Sequence, residues 1–137
     1  MNRMNKTAIW QKIERLLEKT EHSDYVALHR SDFEEAMKDA SDFAYIEIEN
    51  AAFLDLLEKL RKELAALPMH WVRNGVVRMG TTSDGAEGKL SCDNVRCLLS
   101  TIQKFASGAK LIWGLDVDPA ISSGCYSVAV VFAMLSR

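Results

Sequence analysis

The sequence predicts an α/β (α+β) two-layer domain in which a mixed sheet of about four to five strands packs on helices. Stretches with apolar residues at helical spacing alternate with short apolar runs of strand length. The last quarter, Lys89 to Leu135, reads as one continuous helix-strand-turn-strand unit. The chain has 137 residues, 48% of them hydrophobic and 26% charged. That is one domain over residues 1–137, long enough to bury roughly two thirds of its unfolded surface without a metal or disulfide.

Each element has its own signal. Thr7 is positioned to cap a first helix, about residues 7–20, with Ile9, Trp10, Ile13, Leu16 and Leu17 on its inward face. Tyr25-Val26-Ala27-Leu28, bounded by turn formers, reads as a short strand. Ser31 with Glu34 is a capping-box pattern opening a helix that carries Phe33, Ala36, Met37 and Ala40. Phe43 to Ile48 reads as a strand with Glu47 and Glu49 turned to solvent. Asn50 is the expected cap of a longer helix with Leu54, Leu57, Leu60, Leu64 and Leu67 as its core stripe and Pro68 as its stop. Trp71 to Met79 reads as one strand in preference to a hairpin at Asn74-Gly75. Gly80 to Gly88 reads as an exposed loop, and Ser91 as the cap of a helix carrying Val95, Leu98, Leu99, Ile102, Phe105 and Ala106. Gly108 closes that helix, and two strands follow, in which Leu111, Ile112, Val128 and Val130 are expected in the central core and Asp116 in solvent.

Composition narrows the function classes. A net charge of -2 gives no basic footprint, so no nucleic acid is expected as a partner. The amino-terminal residues lack the apolar core of a signal peptide and no stretch reaches the ~20 apolar residues of a membrane span, so a cytoplasmic protein with no membrane partner is expected. Three cysteines without C-x-x-C spacing make neither a disulfide framework nor a zinc site, and Cys92 and Cys97 read as small buried hydrophobes. No metal and no cofactor are expected.

The order Ala109-Lys110-Leu111-Ile112-Trp113-Gly114-Leu115-Asp116-Val117-Asp118-Pro119, a turn, and Val128-Ala129-Val130-Val131-Phe132-Ala133 resembles the end of the second, C-terminal domain of the tubulin relative FtsZ. There an "AxIIFGxxIDP" strand precedes a "VTVIATG"-like strand. The resemblance extends over roughly residues 8 to 135: Ile9 to Lys19 stands for the end of the connecting helix, and Tyr25 to Leu28 for the strand after it. Arg30-Ser31-Asp32-Phe33-Glu34-Glu35 falls on the family's acidic "NxDxxD" synergy loop, with Asp32 and Glu35 on the acidic positions and Arg30 in place of the amide. The family's GTPase half, with its "GGGTGTG" phosphate loop, has no counterpart, which implies that no GTP is bound by this chain alone.

Two readings of the acidic run stand side by side. Asp32, Glu34, Glu35 and Asp39 complement the dipole of the helix they open. Under the resemblance, Arg30, Asp32 and Glu35 form a partner contact instead, with Arg30 favouring a salt bridge or a phosphate over water activation. His22, His29 and His70 have no partner at motif spacing and read as surface or interface residues; the turn from Thr81 to Gly85 is an anion-binding candidate that also fits a plain turn. The expected function is a non-enzymatic protein-protein interaction module, in a homo-oligomer or bound to a tubulin-like GTPase partner, with no catalytic residue. The alternative is a small-molecule-binding protein or enzyme of the chorismate-mutase-like two-layer kind, with sites at subunit interfaces.

Overall fold

The computed structural model describes residues 3–82 and 92–134. Strand β1 (Arg3–Met4) leads into helix α1 (Lys6–Thr20) and, after a connection, helix α2 (Arg30–Met37). Strand β2 (Asp42–Ala52) runs directly into helix α3 (Phe53–Ala65), and a single 3-10 turn (Met69–Trp71) precedes strand β3 (Val72–Thr81). Helix α4 (Cys92–Phe105) and strands β4 (Lys110–Val117) and β5 (Cys125–Met134) complete the described residues.

The five strands lie in the order β1-β2-β5-β3-β4. Only β3 and β4 are parallel, and α4 supplies the crossover that a parallel pair needs. All other neighbours are antiparallel. Both faces of the sheet are apolar, because successive strand side chains point to opposite sides and β2, β3 and β5 carry hydrophobic residues at consecutive positions. Ala44, Ile46 and Ile48 pack with Leu56, Leu60 and Leu64 of α3 and Leu98 and Ile102 of α4. Phe43 and Tyr45 pack with Ile9, Ile13 and Leu16 of α1 and Phe33 and Met37 of α2. The sheet with α3 and α4 is the expected two-layer α/β unit, and α1 and α2 cover its other face.

Residues 72–81 form one strand, not a hairpin: a Cβ at Gly75 would come 2.8 Å from Leu111 Cδ2 and 3.1 Å from Phe132 Cδ1, so glycine there allows neighbouring side chains to close over the strand. Several expectations are corrected. Asn5, not Thr7, caps α1, its Oδ1 accepting the Ala8 amide at 2.9 Å, which places the cap two residues earlier. At α2 the capping frame also shifts back two residues, from Ser31 and Glu34 to His29 and Asp32. Tyr25 to Leu28 makes a single bridge, Val26 to Leu115, instead of a strand. The Leu28 amide already bonds back to the Thr20 carbonyl at 3.2 Å, so the chain turns under α1 before a ladder can extend.

Asn50 does not cap a helix. It sits at φ +54° in a bulge of β2, a conformation asparagine tolerates, and its side chain bonds to Ser122. Helix α3 therefore starts at Phe53, and its phase turns Leu54 out to 77% exposure while Leu56 is fully buried. Leu111 and Ile112 are only partly buried because β4 is an edge strand, whereas Val128 and Val130 occupy the central β5 as expected. Gly80 and Thr81 extend β3; the rest of the expected Gly80 to Gly88 loop from Ser83 on, and the Ser91 cap, lie outside the described residues.

These positions set a stability contrast. Phe132→Ala, in the central strand and fully buried, is expected to cost about 3–5 kcal/mol in urea unfolding, and Leu54→Ala to stay within about 0.5 kcal/mol. A cost at Leu54 comparable to that at Phe132 would show the helix phase to be wrong.

Candidate functional site

Two clusters of charged side chains stand out, one exposed and one buried. The exposed cluster lies between α1 and α2. Trp10 and Glu14 are one helical turn apart on α1 and so share a face. Arg30, the first residue of α2, reaches back over both. Its Nη1 lies 2.5 Å from Glu14 Oε1 and its Nη2 donates to Glu14 Oε2 at 2.8 Å, a two-pronged geometry natural to a guanidinium. The guanidinium carbon stands 5.6 Å from the centre of the Trp10 ring, within cation-π range. The Arg30 hydrogen bond holds the Glu14 carboxyl below its ordinary value, and Glu14 in turn raises Arg30. Together with Lys6, Glu34, Met37 and Lys38, these side chains line an open groove of about 580 Å³.

Arg30 and Asp32 lie in the first turn of α2 and Glu35 in the next, but the structure engages them differently. Arg30 is committed to Glu14 and Trp10, with Glu21 and Glu34 adding to its acidic surroundings. Asp32 folds back on the chain, its Oδ2 accepting the His29 amide at 2.8 Å, so its carboxylate serves the helix start. Glu35 is exposed on the following turn. Trp10 and Glu14 were not legible as site residues because an α1 residue reaches α2 only after folding. The His70 and Trp71 rings lie with centroids 4.9 Å apart and tilted by 47°, and Thr81 and Thr82 are buried; Ser83 to Gly85 of the candidate anion turn lie outside the described residues.

The buried cluster overturns the placement of Asp116 in solvent. Arg78 of β3 and Asp116 of β4 are 2% and 1% exposed. Arg78 Nε donates to Asp116 Oδ1 at 2.7 Å and Nη2 to Asp116 Oδ2 at 2.7 Å. Nη2 also reaches Asp118 Oδ2 at 3.3 Å, and Lys19, at the end of α1, stands 3.0 Å from the same oxygen. Asp116 faces inward because it shares the β4 face that α1 and the 23–28 connection cover, and Leu115 and Val117 take the other. The signal was Arg78 itself: a cation inside the apolar run Val76 to Met79 requires a buried anion. Two cations meet two carboxylates, so the cluster is neutral and internally satisfied, which suits a structural tie.

Burial alone would push the Asp118 carboxyl up, but the Ala120 amide, Lys19 and Arg78 outweigh it and hold it below its ordinary value of 3.8. Among the described residues no three His, Cys, Asp or Glu side chains gather as metal ligands, and no helix is long and apolar enough to cross a membrane.

No family model matches the chain, and no curated protein matches it. Solved structures do. The chain is similar to the FtsZ of M. jannaschii in an empty dimer, with 13% identity over 95% of this chain and 40% of that one, at a TM-score of 0.61. It is similar to TubZ-Bt in a helical model of a four-stranded filament, with 10% identity over 96% of this chain and 34% of that one, at a TM-score of 0.66. The fold is therefore α/β of the FtsZ and tubulin type, and the chain spans well under half the length of these structures.

Removing one partner of the buried pair leaves the other charged and unpaired. Arg78→Met is expected to cost about 3–5 kcal/mol, and Arg78→Met with Asp116→Leu to recover most of it. Because the Asp118 carboxyl titrates lower in the folded chain than unfolded, its stabilisation is complete above the ordinary value of 3.8 and is lost as pH falls through the folded value. Asp118→Asn should flatten that acid limb in urea titrations run at successive pH values. An unchanged limb would show that Asp118 is not held below its ordinary value.

Proposed function

We propose that this chain is a non-enzymatic protein-protein association module that acts through self-association or by docking to a tubulin-like GTPase partner. The observation that carries the reading is the α1–α2 groove, where half-buried Trp10 presents apolar surface among charges of both signs, on a fold similar to those of FtsZ in a dimer and TubZ in a filament. Tryptophan and arginine are both enriched at the energetic centre of protein contacts. Mixed charges around it give orientation and partner choice more than affinity. Arg30, Asp32 and Glu35 then divide the work. Arg30 and Glu35 meet the partner, and Asp32 holds the turn that presents them.

The matching region stands without a phosphate loop in the sequence, so nucleotide chemistry belongs to the partner in this reading. Arg30 on this turn favours a salt bridge over water activation, and its guanidinium is held by Glu14 of α1.

Sedimentation velocity of the wild-type chain, alone and with a tubulin-like GTPase, tests the proposal. Association is expected in one of the two settings, and Arg30→Glu should abolish it with the thermal melt little changed, since exposed ion pairs contribute little to stability. Calorimetry with GTP and the isolated chain should give no saturable heat at micromolar concentration. A monomer indifferent to such partners, or saturable GTP binding, overturns the reading.

A further inference from the structure

The outer edge of β4 carries a second surface, on the α3–α4 side of the sheet and so away from the α1–α2 groove. In a strand, the N–H and C=O of one residue point to the same side and alternate along the chain. The Val26 amide donates to the Leu115 carbonyl at 3.2 Å and the Leu115 amide to the Val26 carbonyl at 2.9 Å, so Leu115 points its backbone outward. By alternation Leu111 and Trp113 also point theirs outward, while Ile112 and Gly114 turn theirs to β3. Among the described residues no backbone group pairs with Leu111 or Trp113 on that outer side. The open stretch is short. Val26 occupies the next outward position, and Ala109 is already engaged, its amide with Ala106 and its carbonyl with Gln103.

The side chains along the same stretch form a matching groove. Leu111 and Trp113 are partly buried against the α3–α4 core, and between them and Leu99, Ser100, Gln103 and Arg96 of α4 lies a groove of about 320 Å³. Gln103 reaches the Ala109 carbonyl at 3.0 Å, which fixes its end of α4 at the start of β4 and places Arg96 toward Trp113. Among the described residues, Arg96 is the single titratable group lining the groove. Lys110, at the start of the strand, is exposed.

We propose that this edge binds a short extended peptide of a partner protein by strand addition, antiparallel to β4. One peptide residue lies opposite Trp113 and the next but one opposite Leu111, each exchanging N–H···O bonds with its β4 neighbour. Residues directly opposite each other share a face, so both peptide side chains lie over the groove. The first is acidic and meets Arg96, since the described lining of the groove offers one cation and no acid. The second is apolar and covers Leu111 and Leu99. The bridge at Val26 limits the added strand to a few residues, which suits a linear segment and disfavours sheet-to-sheet pairing with a second copy.

The test titrates the capped peptide Ser-Glu-Thr-Val-Ser into ¹⁵N-labelled chain. Saturable shifts at the Leu111 and Trp113 amides, with slowed hydrogen exchange at both, are expected. Arg96→Glu should abolish binding of this peptide and admit the version with Lys in place of Glu, a charge swap that no folding defect reproduces. Arg30→Glu, on the other face, should leave peptide binding unchanged, so failure of the α1–α2 reading and failure of this one are separable. Shifts confined to other faces, no saturable shift, or protection of the two amides that grows with protein concentration in the absence of peptide would each overturn the proposal. The last result would assign the edge to a second copy of the chain.

Discussion

The central strand β5 imposes the main constraint on this molecule. Every residue from Tyr126 to Met134 is buried, and only Ser127 among them departs from an apolar or aromatic side chain. A strand of this kind has no solvent face to offer, so both sides of the sheet must be covered. Helices α3 and α4 cover one side and α1 and α2 the other, giving two cores that share β5 as their common wall. Placing β5 between β2 and β3 also satisfies its backbone on both edges. The position of the candidate site follows, because α1 and α2 can present Trp10, Glu14 and Arg30 only as long as Ile9, Ile13 and Phe33 hold them to the sheet.

Within this apolar frame the buried ionic cluster is the costly element, and its location explains its retention. Buried Arg78, Asp116 and Asp118 come from β3 and from β4 and the turn after it, and exposed Lys19 joins them from the end of α1. A buried ion pair adds little net stability over an apolar equivalent, but it penalises any arrangement that separates its members. The cluster therefore fixes the β3–β4 register and ties α1 to that end of the sheet. Gly80 belongs to the same device, since a Cβ there would approach Arg78 Nη2 to 2.6 Å.

The edges of the sheet are treated unequally. At one edge the short β1 pairs with β2. At the other, Val26 covers the far end of β4, and a Cβ at Gly114 would come 2.8 Å from the Val26 carbonyl, so the cover depends on that glycine. The near end of β4 keeps exposed Lys110, a common guard against indiscriminate pairing, beside Leu111 and Trp113, whose outward backbone no group among the described residues pairs. An edge that is short, bounded and flanked by a cation selects against aggregation.

The sequence by itself determined the α/β class, the helices and most of the strands, because apolar periodicity and chain punctuation are local properties. It also carried the order of Ala109 to Pro119 and Val128 to Ala133, enough to anticipate an FtsZ-like fold. The tertiary structure decided what depends on neighbours in space. Whether Tyr25 to Leu28 extends into a strand depends on what lies beside it, and Leu115 offers it one bridge. The side Asp116 faces, the exposure of Leu54 and the partial burial of Leu111 follow from which surfaces other elements cover. The candidate site shows the same division. Arg30 was visible as a departure from an acidic motif, but its pairing with Glu14 and Trp10, sixteen and twenty residues earlier, exists only because α1 and α2 lie side by side on one face of the sheet.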